Sequence, residues 1–238
     1  MQPVTALCAR ELKAAARSPG TWLVLAGFQA LTGLLFLLIL SNTGSTVLAA
    51  LYYDVGVLFL FMAPMLTASS FGAEWRDGTM ELLLTSSLAP RHIVAAKFAG
   101  ALGVLWAAAL SALQYPFWAS LFGRIDSGAS AAGLAGCLLL ASTLAAIGTF
   151  AAAATRSTAA AAVLGFAASM FFWFLHSLGL LLGGAAGGAA DRFSLYLRFS
   201  PFTRGMFDTA DAAFFVLMTA AFLALAATGL EAVRSARS

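Results

Sequence analysis

Six long apolar runs separated by short polar ones make up most of the chain: 21–40, 48–71, 98–122, 130–154, 159–182 and 212–230. A membrane-crossing helix needs about 20 predominantly apolar residues, and each run is close to that length or exceeds it. Breakers fall where such helices should end. Ser41, Asn42, Thr43 and Gly44 close the first run, and the glycines of 183–188 close the fifth. Pro90 opens the helix that leads into the third, a first-turn position where its missing N–H costs nothing. Pro64 and Pro116 lie inside runs and predict kinks, which lipid tolerates where neighbouring helices re-satisfy the freed carbonyls. The pattern predicts an all-α integral membrane fold in which residues 1–238 form one transmembrane domain of six helices.

Composition removes the soluble alternatives. Of 238 residues, 61% are apolar and 10% charged, with mean hydropathy +0.92. Soluble domains carry about 25% charged residues, and a domain of this size buries only about 70% of its surface. The solvent for most of the chain is therefore expected to be lipid. A net charge of +3 would raise nucleic acid as a partner in a soluble protein. Here the basic residues sit at run ends, so the sign reads as topology and no nucleic acid is expected. Cys8 and Cys137 are too few and too far apart for a disulfide framework or a metal cluster and read as packing thiols. No cleavable leader is evident ahead of the first run.

Placing both termini in the cytoplasm puts nine of the thirteen Lys and Arg inside and leaves Arg124, Arg192, Arg198 and Arg204 outside. The positive-inside rule favours that arrangement, and the expected location is a bacterial-type inner membrane, crossed several times. Ala and Gly crowd the third to fifth runs, as at Gly133, Gly136 and Ala159 to Ala162, which lets helix backbones approach closely.

Three stretches depart from the apolar pattern. Between the second and third runs, Asp77 can cap a short helix with Glu81 in its first turn, and Met80, Leu83 and Leu84 then share one face. Such a helix fits either a groove on a soluble partner or the headgroup layer. Residues 5–19 carry Leu7, Arg10, Glu11, Lys13, Ala14 and Arg17, the pattern of a basic amphipathic helix resting on anionic lipid. Residues 191–211 are rich in aromatics, including Phe193, Tyr196, Phe199, Phe202 and Phe207, and read as an interfacial helix at the outer headgroups, with lining an exit path as the alternative.

Chemistry is sparse. No G-x4-G-K-[ST] run is present to cradle phosphates, nor a G-x-S-x-G elbow, HExxH or Cys/His cluster, so the chain is not expected to be an enzyme in its own right. Ionisable groups inside spans are functional candidates by default, since a charge at mid-bilayer costs at least about 2.5 kcal/mol. Asp54, beside Tyr52 and Tyr53, and His176, beside Trp173 and Ser177, are the two such residues; Gln29 and Gln114 are weaker ones. With Arg204 and Asp208 they are candidates for a translocation path or gate. Asp54 and His176 belong to different spans at different depths and are not expected to meet. A non-transporting membrane anchor or sensor would share all of these features.

One block carries a resemblance. Residues 71–86 read Phe-Gly-Ala-Glu-Trp-Arg-Asp-Gly-Thr-Met-Glu-Leu-Leu-Leu-Thr-Ser, and 90–98 read Pro-Arg-His-Ile-Val-Ala-Ala-Lys-Phe. This resembles the signature of ABC-2 type transporter permeases: a Glu, a Gly-Thr, a second Glu and a Leu-Leu-Thr-Ser run between the second and third spans, then a Lys opening the third. The stretch Phe199-Ser200-Pro201-Phe202, with Arg204-Gly205 and Asp211 before the last span, is similar to the gliding-motility-associated branch of that family. Family members often have Ser-Pro after the Leu-Thr run, whereas this chain has Ser86-Ser87-Leu88-Ala89-Pro90. The resemblance implies a six-span permease, an exporter in family terms, that pairs with a second copy or a paralogue and couples to two cytoplasmic ATP-binding-cassette subunits. ATP and Mg would be held in the partner, with no cofactor in this chain. It also implies that a coupling helix after the second span brings Glu74, Arg76, Asp77, Thr79, Met80, Glu81, Leu82 and Leu83 to the ATPase interface.

Overall fold

The computed structural model describes residues 2–42, 47–76, 78–80, 89–121, 126–155 and 157–235. Ten of its helices carry the fold: α1 (Gln2–Arg17), α2 (Pro19–Asn42), α3 (Val47–Arg76), α4 (Pro90–Ser111), α5 (Gln114–Ser120), α6 (Ser127–Ala154), α7 (Thr158–Leu182), α8 (Gly184–Phe193), α9 (Leu195–Thr203) and α10 (Thr209–Ser235). No strand occurs among the described residues. Six segments are long and apolar enough to cross a membrane: Pro19–Ser41, Leu48–Arg76, Pro90–Ser120, Ser127–Ala154, Thr158–Leu182 and Thr209–Ala232. They coincide with the six apolar runs; four are longer by three to five residues, the fifth gains only Thr158, and the third begins eight residues earlier and ends two residues sooner, because polar and charged turns can continue a helix beyond the apolar stretch.

Local chemistry sets the helix starts. Asp126 accepts a hydrogen bond from the Gly128 N–H at 2.8 Å and caps α6, while Ser157 and Ser194 cap α7 and α9 through the N–H groups of Ala160 and Leu197. Pro90 occupies the first turn of α4, as its position in the sequence implies. The two internal prolines behave differently. Pro64 is accommodated within a continuous α3, whereas the third span breaks at Ala112 and Leu113 and restarts as α5, with Pro116 in the new first turn.

The glycines of 183–188 do not simply end the fifth span. Gly183 and Gly184 adopt φ of 61° and 56° and reverse the chain. The following residues then form α8, which folds back so closely that a side chain at Gly187 would lie 2.6 Å from the Gly179 carbonyl oxygen. A second difference concerns 191–211. Leu195, Phe199 and Phe202 are fully buried, so α9 plugs one end of the bundle between α3, α6 and α7 instead of lying on the headgroups. Only Phe193 and Phe207 of that stretch are exposed aromatics.

α6 is the axis of the molecule, with α3, α10, α7 and α4 packed on it, while α2, α7 and α10 leave most of their own surface uncovered. The main core runs through Phe59, Leu105, Leu140, Leu144, Phe199 and Phe215. A smaller cluster of Phe71, Met80, Ile93, Val94, Ala226 and Leu230 closes the end of the bundle where α3 finishes and α4 begins. Interhelical hydrogen bonds join the spans. Tyr52 and Ser130 hydroxyls lie 2.8 Å apart, Tyr115 donates to the Gln29 carbonyl at 3.0 Å, and Thr143 donates to the Phe215 carbonyl at 3.1 Å. Gln29 also accepts from Ser111 through its side chain at 3.1 Å, a packing role. At the periphery Leu23, Leu181 and Leu217 are 76%, 84% and 68% exposed. Side chains that apolar, left uncovered along whole spans, require a hydrocarbon solvent.

Candidate functional site

The polar chemistry collects at the two ends of the bundle. At the end where α1 lies, α1 is seated against α4. Gly100 and Gly103 make the groove: a Cβ at Gly100 would lie 3.2 Å from the Glu11 Cβ, and one at Gly103 would lie 2.5 Å from the Leu12 Cδ2. Trp22 pins the turn between α1 and α2 by donating from its indole N–H to the Ala16 carbonyl at 2.8 Å. Thus α1 is part of the bundle wall, not only a helix resting on lipid. The basic pattern of its sequence hides this because the one acidic residue facing α4, Glu11, pairs with a lysine 86 positions away.

That pairing belongs to a quartet. Lys97, two turns into α4 and 5% exposed, places its Nζ 2.8 Å from Glu74 Oε1 and 3.2 Å from Glu11 Oε2, and donates to the Ser70 carbonyl at 3.1 Å. Arg10 donates to Glu11 Oε1 at 2.9 Å and to Glu74 Oε1 at 3.2 Å. The two carboxylates are 11% and 12% exposed and Arg10 is 56% exposed. The guanidinium pKa is pushed up from its ordinary value, chiefly by the hydrogen bond to Glu11 against the opposing effect of burial, so Arg10 stays charged. Two cations and two carboxylates balance, which is the condition for holding such groups out of water. The quartet ties α1 to the end of α3 and the start of α4.

The residues expected at an ATPase interface begin directly after it. Arg76 ends α3 and is exposed, and Gly78 turns the chain with φ of 71°. Thr79 is exposed and donates to the Glu74 carbonyl at 3.5 Å. Two of the expected interface residues face inward. Glu74 is engaged by Lys97 and Arg10, and Met80 is fully buried against Phe71, Ile93 and Leu230. Helical spacing groups Met80 with Leu83 and Leu84 on one open apolar face. In the fold, the turn at Gly78 directs it into the small core instead. Asp77, Glu81, Leu82 and Leu83 lie outside the described residues.

At the opposite end, His176 near the close of α7 has its Nδ1 2.8 Å from Asp191 Oδ1 on α8, with its ring stacked 6.3 Å from Tyr196. Arg198 donates to Asp211 at 2.7 Å and lies 5.4 Å from the centre of the Phe214 ring. The His176–Asp191 pair depends on the fold-back at 183–184, and the Arg198–Asp211 pair on the turn at Arg204 and Gly205 between α9 and α10, so sequence spacing gives neither. His176 meets Asp191 and not Asp54, which is half-buried two turns into α3. Asp208 accepts from the Ala210 N–H at 2.8 Å and caps α10, and Arg204 is exposed. The four candidates for a path or gate are therefore not gathered into one polar lining: Asp208 serves as a cap and His176 as half of a pair.

No protein-family model matches the chain, and no curated protein matches it. What fold and site define is a class: an all-helical, multi-pass membrane protein with six apolar helices, in which a charge-balanced quartet fastens an amphipathic first helix to the second and third spans.

Proposed function

We propose that the chain is the permease subunit of an ATP-binding-cassette exporter of the ABC-2 type, with both termini in the cytoplasm. It would work as a dimer with a second copy or a paralogue and draw its energy from two cytoplasmic ATPase subunits. The observation that carries this reading is the Glu-x-x-x-Gly-Thr block at the junction of the second and third spans. Its Arg76 and Thr79 are exposed while its Glu74 and Met80 grip the bundle. A segment built that way has one side for a partner and one side for the transmembrane helices. Closure of the ATPase pair on ATP would press on Arg76 and Thr79, and the grip of Glu74 on Lys97 and Arg10 would carry the motion into α1, α3 and α4. The bundle would rock and change access to a path at the permease dimer interface.

The nine-to-four distribution of Lys and Arg supports the orientation. The experiment is co-expression of the full chain with an ATP-binding-cassette subunit from the same genome, followed by co-purification and ATPase measurement in proteoliposomes. Wild-type chain should retain the ATPase, and Arg76→Glu with Thr79→Glu should release it while leaving the permease folded. Retention by that variant equal to wild type would refute the coupling role, and failure of the wild-type pair to co-purify would refute the permease reading.

A further inference from the structure

Beside the quartet lies a pocket of about 580 Å³, formed where α1, the start of α2, the end of α3 and α4 converge. That volume is within the usual range for small-molecule sites, about 300–1,000 Å³. Its wall is divided by polarity. Leu66, Gly100, Ala101 and Val104 make an apolar side at span depth, and Arg10, Arg76, Ser18 and Thr21 make a polar side toward the end of the bundle.

Exposure decides which charge an entering group meets. Lys97, Glu11 and Glu74 are 5%, 11% and 12% exposed, and Lys97 pairs with both carboxylates while Glu74 Oε2 has no hydrogen-bond partner among the described residues, whereas Arg10 is 56% exposed. Arg76 is exposed and makes no ion pair among the described residues. The quartet is neutral, so among the described residues Arg76 leaves the pocket lining with one positive charge that no carboxylate pairs. The Ser18 and Thr21 side-chain hydroxyls donate to nothing among the described residues, and they sit at the first turn of a 24-residue helix, whose N-terminal dipole adds to the field. Guanidinium groups in a rigid fork, with free hydroxyls beside them, match the oxygens of a phosphate. The apolar side has no use for a soluble anion but matches an acyl chain.

We propose that this pocket binds an anionic membrane phospholipid, its phosphate held by Arg10 and Arg76 with Ser18 and Thr21, and one acyl chain laid along Leu66, Ala101 and Val104. The ligand spans both halves of the wall, as basic pockets between transmembrane helices hold lipid headgroups generally. Because Arg10 also belongs to the quartet, the lipid becomes a fifth member of the joint between α1 and the second and third spans. The proposal rests on the membrane fold and not on any ATPase.

The test uses the full chain alone, delipidated in detergent, with native mass spectrometry against phosphatidylglycerol, phosphatidylcholine and inorganic phosphate. Wild type should retain one phosphatidylglycerol under conditions that strip phosphatidylcholine. Arg76→Gln should weaken that retention about tenfold, the scale of losing one charge-assisted bidentate contact. Lys13→Gln, which removes an exposed cation of α1 outside the pocket, should leave it at the wild-type level. Arg76→Lys, which keeps charge and loses the fork, should fall between the two and serves if the glutamine variant does not fold. Equal retention by the Arg76 and Lys13 variants would overturn the site. Displacement of the lipid by inorganic phosphate at equal concentration would overturn a lipid as the ligand. Since no ATPase is present, neither failure touches the coupling role of Arg76.

Discussion

Lys97→Met is the sharpest test of how the α1 end of the bundle is held. The substitution keeps side-chain volume and removes a cation that is 5% exposed and contacts Glu74 at 2.8 Å, Glu11 at 3.2 Å and the Ser70 carbonyl at 3.1 Å. Each hydrogen bond to a charged group contributes about 1.5–3 kcal/mol, so the two carboxylate contacts bound the loss at about 3–6 kcal/mol. Arg10 remains on both carboxylates and the desolvation of Lys97 is recovered, which moves the expectation to the lower edge, about 3 kcal/mol. That agrees with the range of about 3–5 kcal/mol for removing one partner of a buried pair. At about 2–4 °C per kcal/mol for a chain of this size, the thermal midpoint should fall by about 6–12 °C.

The decisive comparison is with Glu11→Gln, Glu74→Gln and Lys97→Met combined. Removing both carboxylates along with the lysine leaves no uncompensated buried charge, and Arg10, 56% exposed, hydrates readily. The triple variant should therefore recover most of the loss and melt within about 3 °C of wild type, on the same scale. Intrinsic-fluorescence melting of the detergent-solubilised chain measures both, with Trp75 beside Glu74 as a local reporter. A single variant that melts with wild type, or a triple variant that melts no higher than the single, would refute the idea that these four groups share one charge balance.

Two further substitutions probe other joints. Met80→Asp buries a carboxylate without a cation among Phe71, Ile93 and Leu230, and it should lower the folded yield of the chain expressed with no partner. A normal yield would show that Met80 is presented outward after all. Gly136→Leu drives a branched side chain into Phe202 and Phe199, where even a Cβ would clash, and should cost about 3 kcal/mol or prevent folding. Size-exclusion monodispersity checks it, and a stable Leu variant would mean that α9 does not plug the bundle against α6.

The apolar runs alone settled the class of the fold. Six spans were legible at nearly the right limits, because a bilayer imposes a length and a composition on each crossing segment independently of its neighbours. The helix-start signal at Pro90 acts within one turn and was local in the same sense. So was the block at 71–86, which marked the junction of the second and third spans. What the tertiary structure decided was every pairing across distance. Glu11 and Lys97 are 86 residues apart, and no periodicity links them. Met80 has the spacing of an open face and the surroundings of a core. The aromatics of α9 have the composition of a headgroup anchor, yet close packing beside Gly56 and Gly136 turns them inward. In lipid, a span's apolar surface reads the same whether it meets hydrocarbon or another helix. Hydropathy therefore determines that a segment crosses, and only the fit of small residues and buried polar groups between helices determines what it meets.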